Sequence, residues 1–453
     1  MGSITLLVFI IFTFAALMYY RKDILGPWFL LCAMMTVSFC IVLLNTKNWE
    51  VIVVPKFTAY CSVALLSWFA GALVVRAFPI AKINVQKSNI RIYKEQEIKE
   101  RISNGSYPYV LLMCLSIGLT LMYLYTKIPL SSITSVESFK TALRSLYDTE
   151  KTYGFFRTQI FELIVAIAYI SLYKRMSVQY MRPDRRMRIR LDIPVALFLL
   201  CTLVSTDRNI LLRFMIYFVI LFVMFFRDSI NLHVGRKLIV RIALLAVLAG
   251  GVFFIFGAAK QYTSNVTRAL GIYGGSGLYN FNLWIKDFNG PLAYGKYTFA
   301  DLQNVMSRLH FMKPSDVPFN AEFTNFVSAN GYTFSSNVYS ALRFYVQDFG
   351  IWGVIVVPFL TGIFFEILYV VTKLRPYGFA WVFYASSIYP VIYYPILEQL
   401  MKRMNFGRVY EIGWLVVFYF VLFSAYGITK YRFKRRNFVL NRSKIKPARK
   451  LQR

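Results

Sequence analysis

Acidic residues are scarce in this chain: 21 stand against 52 lysines and arginines, and charged side chains of both signs make up only 16% of its 453 residues. That is far too little polar surface to cover a water-soluble globule, so a soluble enzyme is excluded. Histidine occurs only as His233 and His310. There is no Asp-x-Asp pair, glycine-rich phosphate loop or His-rich cluster, which removes the usual means of holding a nucleotide donor or a catalytic metal. Neither a cofactor nor a metal site is expected. The five cysteines, Cys32, Cys40, Cys61, Cys114 and Cys201, lie in apolar segments without metal-ligand spacing, and they imply no disulfide framework. Internal repeats and low-complexity tracts are also lacking.

What fills the chain instead is apolar, with 57% hydrophobic and 18% aromatic residues. Runs such as Ile4–Tyr20, Pro27–Asn45 and Ile351–Thr372 approach the roughly 20 residues that cross a bilayer's hydrocarbon layer as helix. The expected fold class is all-α, a single polytopic transmembrane helix bundle over residues 1–453. Eleven spans are placed at about 4–20, 27–45, 57–75, 107–126, 158–173, 192–205, 209–226, 238–258, 351–372, 377–397 and 411–428. The first run lacks a basic leader and a small-residue cleavage site, so it reads as a retained span.

A net charge of +31 can signal nucleic acid, but membrane proteins gather Lys and Arg on cytoplasmic loops for topological reasons, and no nucleic-acid partner is inferred. The connections alternate between two sets. One (21–26, 76–106, 174–191, 227–241, 373–377 and 428–453) holds 33 basic residues, and the other (46–56, 127–157, 206–208, 259–350 and 398–410) holds 18 although it is longer. The positive-inside rule makes the denser set cytoplasmic, leaving the N-terminus outside and the C-terminus inside. The cluster Arg182–Arg190 and the basic tail 429–453 read as anchors on anionic lipid headgroups.

Two external connections exceed a turn. In 127–157, Thr134-Ser-Val-Glu137 has a capping-box pattern ahead of Phe139, Ala142, Leu143, Leu146 and Tyr147 at helical spacing, which reads as a short helix along the outer membrane surface. The large loop 259–350 repeats the device with Thr298-Phe-Ala-Asp301 before Leu302, Val305, Met306 and Leu309. Loops of this length inside compact proteins usually carry function.

The external face offers Arg208, Lys260, Arg268, Arg308, Arg343, Arg403 and Arg408 among tyrosines, asparagines and glycines, a mixture suited to anionic headgroups and sugar hydroxyls. Arg208 lies in a connection of a few residues between two spans, where a guanidinium can clamp a lipid pyrophosphate or simply pair with Asp207. Arg213, one turn deeper, is expected to face the bundle interior. In the segment from Asn337 to Gly353, Tyr339, Arg343 and Gln347 share a helical face with Ser340 and Asp348 beside it. It combines a cation for a leaving phosphate, a carboxylate for a proton and polar rings for sugars; an interfacial aromatic belt with Asp348 as a helix cap fits the same spacing.

Asn337-Val-Tyr-Ser, then Arg343, then Asp348-Phe-Gly-x-x-Gly353 resembles the signature of the oligosaccharide repeat-unit polymerases, the Wzy-type enzymes of O-antigen, capsule and exopolysaccharide assembly. Gly295-Lys-Tyr-Thr-Phe299 is similar to a Gly-x-x-Thr-Phe stretch of the same external loop. Arg208 takes the place of an arginine that the family carries between two spans, with Ser205-Thr-Asp207 where glycines are common. The resemblance covers residues 200–350 by local motif and the rest by architecture, which resembles that of GT-C-type membrane glycosyltransferases.

It implies a multi-pass enzyme of the bacterial cytoplasmic membrane that needs no metal or nucleotide. Its substrate would be an undecaprenyl-pyrophosphate-linked oligosaccharide, with membrane lipid, a flippase and a chain-length regulator as partners. Transfer would take place on the external, periplasmic face. Arg343 and Arg208 would stabilise the leaving pyrophosphate, and Asp348, or else Glu322 or Glu398, would orient or deprotonate the acceptor hydroxyl or hold Arg343. Lys260, Arg268, Asn337, Tyr339 and Arg403 would contact substrate. Competing readings are a glycan ligase using His310, a lipid-linked oligosaccharide flippase and a non-catalytic scaffold. A flippase needs charges inside its spans, where this chain offers little beyond Glu162, Arg213 and Glu366.

Overall fold

The computed structural model describes residues 1–49, 51–78, 95–128, 134–135, 138–139, 141–142, 155–178, 185–205, 208–230, 271–313, 324–327, 333–374, 378–401 and 405–421. Regular structure among them is helical apart from one antiparallel ladder of β1 (Thr324–Val327) with β2 (Thr333–Ser336), in which Thr324 faces Ser336. Among the described residues, five helices are long and apolar enough to cross a membrane: α1 (Gly2–Tyr19), α2 (Pro27–Leu44), α3 (Pro55–Ala77), the Pro108–Lys127 part of α4 (Glu95–Lys127) and α10 (Ala341–Leu374). Between α4 and α10 come α5 (Phe155–Val178), α6 (Arg185–Ser205), α7 (Arg208–Ile230), α8 (Ser276–Asp287) and α9 (Ala300–Arg308). After α10 come α11 (Phe379–Ser387), α12 (Tyr389–Tyr393) and α13 (Phe406–Val416). The expected span at 238–258 lies outside the described residues.

The chain divides into two compact units. The first comprises Met1–Ile83, Leu212–Val371 and Tyr384–Val409; the second comprises Asn84–Leu211, Thr372–Phe383 and Tyr410–Arg453.

In the first unit, Pro27 and Pro55 open α2 and α3 at positions where a missing N–H breaks no helical bond. Helix α1 is apolar on all sides: Phe9 and Ala16 are buried, while Ile4, Leu7, Ile11, Phe14 and Met18 form an exposed stripe, as on a lipid-facing helix. Polar links tie α1 to its neighbours, with Thr13 and Thr36 hydroxyls 2.8 Å apart and Thr5 and Thr58 hydroxyls 2.6 Å apart. Helices α3 and α10 cross closely through two glycines. A Cβ on Gly71 would stand 2.2 Å from the Phe359 carbonyl oxygen, and one on Gly362 would stand 2.4 Å from that of Trp68. Backbone approach through small residues is how apolar helices gain packing when lipid offers no hydrophobic driving force.

Far along α10, Glu366 is fully buried, and the sequence accounts for it only through partners on other helices. Arg76 Nε donates to one carboxylate oxygen at 2.8 Å and the Tyr20 hydroxyl donates to the other at 2.5 Å. The Arg76 guanidinium lies 4.4 Å from the Tyr19 ring centroid. A buried carboxylate is tolerable only when paired in this way, so Glu366 fastens the ends of α1, α3 and α10 together.

The expected span at 377–397 is not one helix. It breaks at Ile388 between α11 and α12, because Pro390 has no N–H to give the Ser386 carbonyl four residues back. Arg408 fills the gap, donating from Nη2 to Ser386 O at 3.2 Å and to the Ser387 hydroxyl at 3.0 Å.

Within the second unit, the Tyr109 hydroxyl donates to the Phe418 carbonyl at 2.8 Å, and Lys174 Nζ sits 3.6 Å from the Tyr109 ring centroid. Trp414 Nε1 donates to Gln159 Oε1 at 3.0 Å, and Arg175 pairs with Asp192 at 2.9 Å.

Candidate functional site

The segment singled out from the sequence folds as one tightly held piece of the first unit. Before α10 begins, residues 336–341 are pinned from two directions. The fully buried Asn280 of α8 donates to Val338 O at 2.6 Å, and Ser340 N–H donates to Gly277 O at 2.9 Å. From the turn after α12, Tyr394 O accepts Ala341 N–H at 3.0 Å and the Ser340 hydroxyl at 3.2 Å. Helix α10 then runs as a short limb to Gly350, which takes φ 61°, ψ −137° and turns the chain into the long apolar limb. Only glycine adopts that conformation readily. Gly353 is required for a different reason, since a Cβ there would lie 2.1 Å from the Tyr345 carbonyl oxygen. The glycines of the Asp348-Phe-Gly-x-x-Gly pattern are therefore the bend and its inner contact.

Arg343 and Tyr339 come together as their spacing suggests, although Tyr339 precedes the helix. The guanidinium lies 3.8 Å from the Tyr339 ring centroid and 5.3 Å from that of Trp284, and Arg343 is 4% exposed. Trp284 is itself stacked on Phe288 at 4.2 Å. Aromatic faces on two sides offset part of the guanidinium's desolvation. The arrangement holds an oriented cation at the end of the apolar limb.

Asp348 is fully buried, and its carboxylate is turned to the backbone of the Gly295–Phe299 stretch. It accepts the N–H of Tyr297 at 3.1 Å on both oxygens and that of Thr298 at 2.5 Å. The Asp348 and Gln347 carbonyls take the N–H groups of Tyr294 at 3.0 Å and Ala293 at 3.1 Å. Two motifs some fifty residues apart are thus one structure, a turn with Tyr294 at φ 48° and Gly295 at φ 90° laid against the short limb. The carboxylate's partners are these backbone groups rather than the Arg343 guanidinium. They also displace the capping box expected at Thr298: α9 starts at Ala300 without a side-chain cap, and Asp301 instead takes a hydrogen bond from Asn405 at 3.2 Å. In the 127–157 connection the reciprocal capping pair is one residue later than expected, Ser135 with Ser138, at 3.1 and 2.9 Å.

A small cavity of about 10 Å³, room for about one water molecule, opens on the other side of the short limb, lined by Trp68, Tyr345, Phe365, Tyr394, Glu398 and Gln399 among others. Tyr345 follows Arg343 by two residues, which turns it roughly 200° around the helix. Glu398 is buried; its Oε1 accepts Leu400 and Met401 N–H at 2.9 Å each and the Tyr345 hydroxyl at 3.3 Å. Tyr394 Oη and Trp68 Nε1 are buried without a hydrogen-bond partner among the described residues. Unsatisfied buried donors are costly, and a single water in this cavity would give them a partner. Trp68 and Tyr394 were not legible as cavity residues, because each sits in an apolar run where an aromatic reads as core, and Tyr345 lies in the singled-out segment but on the face away from Arg343.

Of the remaining expected residues, Asn337 is half-buried in the pinned stretch before α10. Arg208 opens α7, close after the end of α6 at Ser205, and belongs to the second unit. Arg213 is buried, as expected. Lys260, Arg268, Glu322 and Arg403 lie outside the described residues. His310 is exposed and follows α9 at φ 61°, donating its N–H to Ser307 O at 2.9 Å, so its backbone closes the helix. No group of three or more metal-ligating side chains occurs among the described residues.

Compared with family models, curated proteins and solved structures, the chain matches none. The site defines by its own geometry a buried, aromatic-flanked arginine on one side of a bent helix and a carboxylate-lined cavity on the other.

Proposed function

We propose that this chain is a repeat-unit polymerase: it transfers a growing glycan from undecaprenyl pyrophosphate to the terminal sugar hydroxyl of a lipid-linked repeat unit, on the outer face of the cytoplasmic membrane. The observation that carries the reading is the caged Arg343 guanidinium, set in the segment whose residues resemble the polymerase signature. Arg343 stabilises the negative charge that grows on the pyrophosphate as the anomeric carbon–oxygen bond breaks, and Arg208 is a second candidate for contact with a lipid pyrophosphate. The acceptor oxygen forms the new bond to that carbon, its proton passes to a carboxylate, and the leaving pyrophosphate takes the electron pair.

Asp348 already gives its oxygens to three N–H contacts of the turn, so its role here is positioning. Glu398, whose Oε1 accepts the Tyr345 hydroxyl of the short limb at 3.3 Å, is the carboxylate assigned to the proton. The pyrophosphate bond carries its own activation, so the step calls for no nucleotide or metal.

The experiment is a glycan gel from cells lacking the chain. Loss of polymerisation gives a single-unit band in place of a ladder, whereas a ligase defect leaves long polymer on its carrier and a flippase defect traps units inside. Arg343→Ala and Arg208→Ala at normal membrane abundance should each reproduce the one-unit band. A full ladder from either removes that arginine from the mechanism.

A further inference from the structure

Helix α9 has no buried residue, although Leu302, Val305, Met306 and Leu309 recur on one of its faces at the i, i+3, i+4, i+7 spacing of an amphipathic helix. Leu302, Met306 and Leu309 are exposed, and the chain continues through Phe311, 72% exposed, and Met312. None of the described residues of the first unit buries a member of this stripe. The opposite face carries Asn304 and Ser307, and the flanks carry the exposed cations Lys296, Arg308 and Lys313.

The level at which α9 sits is fixed by what precedes it. The Asp348-held turn leads directly into it, Gln303 Nε2 reaches back to Gly295 O at 3.2 Å, and Leu292 Cδ2 lies 3.6 Å from the position a Cβ on Gly350 would take. Gly350 is where the apolar limb of α10 starts, and there Trp352 is 68% exposed while Tyr294 of the turn is 81% exposed. Exposed Trp and Tyr at the mouth of an apolar helix are the side chains that settle at a membrane–water boundary. An apolar stripe at that level, rimmed by cations, matches acyl chains beneath anionic headgroups.

We propose that α9 and the residues to Lys313 form a lipid-embedded anchor that binds the anionic bilayer interface and holds the Gly295–Phe299 turn at the membrane surface. A helix in the interface plane buries its apolar face about 5–10 Å into the headgroup region. This anchor does not depend on the reaction catalysed.

The test uses the full chain in vesicles of phosphatidylglycerol and phosphatidylethanolamine, with a fluorescent amino acid placed at Met306 or at Asn304. The Met306 probe should be quenched several-fold more strongly by brominated lipid than the Asn304 probe, and the Asn304 probe more strongly by aqueous iodide. Replacing Arg308 and Lys313 by alanine, or using phosphatidylcholine vesicles, should weaken the lipid quenching at Met306. Iodide access at Met306 overturns the proposal, because the stripe then faces water. Shielding of Met306 from both quenchers also overturns it, because the stripe is then covered by protein. The readout contains no glycan product, so the anchor and the polymerase reading fail separately.

Discussion

Asp348 and Glu398 show how little a residue's type says about its task. Both carboxylates are buried and both accept backbone N–H groups, yet Asp348 holds a turn from another part of the loop while Glu398 holds its own turn and lines a cavity. Four-residue helical spacing suggested the pairing of Tyr339 with Arg343, but Tyr339 precedes the helix and its ring meets the guanidinium from the pinned stretch before α10. The partners of Asp348 were not legible, because they are peptide N–H groups fifty residues upstream and carry no side-chain signal. The two roles separate by mutation. Asp348→Asn keeps the shape but exchanges an acceptor oxygen for a donor facing two N–H groups, so it should lower thermal stability by about 1–3 kcal/mol and reduce polymer length together. Glu398→Gln should abolish polymer with a smaller loss of stability, since Oε1 can remain an amide oxygen. Melting in detergent and a glycan gel on the same variants check both; a stable, inactive Asp348→Asn would return the proton-accepting role to Asp348.

Among the elements, the apolar runs were readable and their interruptions less so. The five long apolar helices overlap five of the eleven expected spans, because length and composition alone set the requirement for crossing a bilayer. The break at Ile388 has a cause in the sequence, Pro390, but an apolar run hides it, and the guanidinium that repairs it comes from Arg408, beyond the run. The bend at Gly350 had a family pattern and no local signal that the chain would turn. Its rigidity is testable through Gly353. An added methyl would overlap the Tyr345 carbonyl at 2.1 Å, and backbone cannot yield as a side-chain tip can, so Gly353→Ala should destabilise the fold by about 3 kcal/mol or more. Gly413→Ala, where none of the described residues lies within 4 Å of the added methyl, is the control and should be as stable as the parent chain or up to about 1 kcal/mol more stable, because alanine is the better helix former. Equal melting of the two variants would mean that the short limb is not packed against the bend.

For the whole molecule, the charge partition makes a claim that the first unit renders measurable. Tyr294 belongs to a turn fixed beside Gly350, at the start of the long limb of α10, and Lys22 belongs to the turn after α1, two residues from Tyr20. Tyr20 bonds to Glu366, which at 1.5 Å per residue lies roughly 24 Å further along that limb than Gly350. That distance is most of the hydrocarbon thickness of a bilayer, about 30 Å. Tyr294 and Lys22 should therefore be reached from opposite sides, and the excess of basic residues in the connections containing Lys22 assigns that side to the cytoplasm. An impermeant thiol reagent should label Tyr294→Cys in intact cells and Lys22→Cys only after permeabilisation, each measured against the parent chain with its own five cysteines. Labelling of both from outside would break the expected crossing. The reverse pattern would turn the molecule over and place Arg343 and its aromatic cage at the cytoplasmic end, where a flipped lipid-linked acceptor never arrives, and the polymerase reading would fall with it.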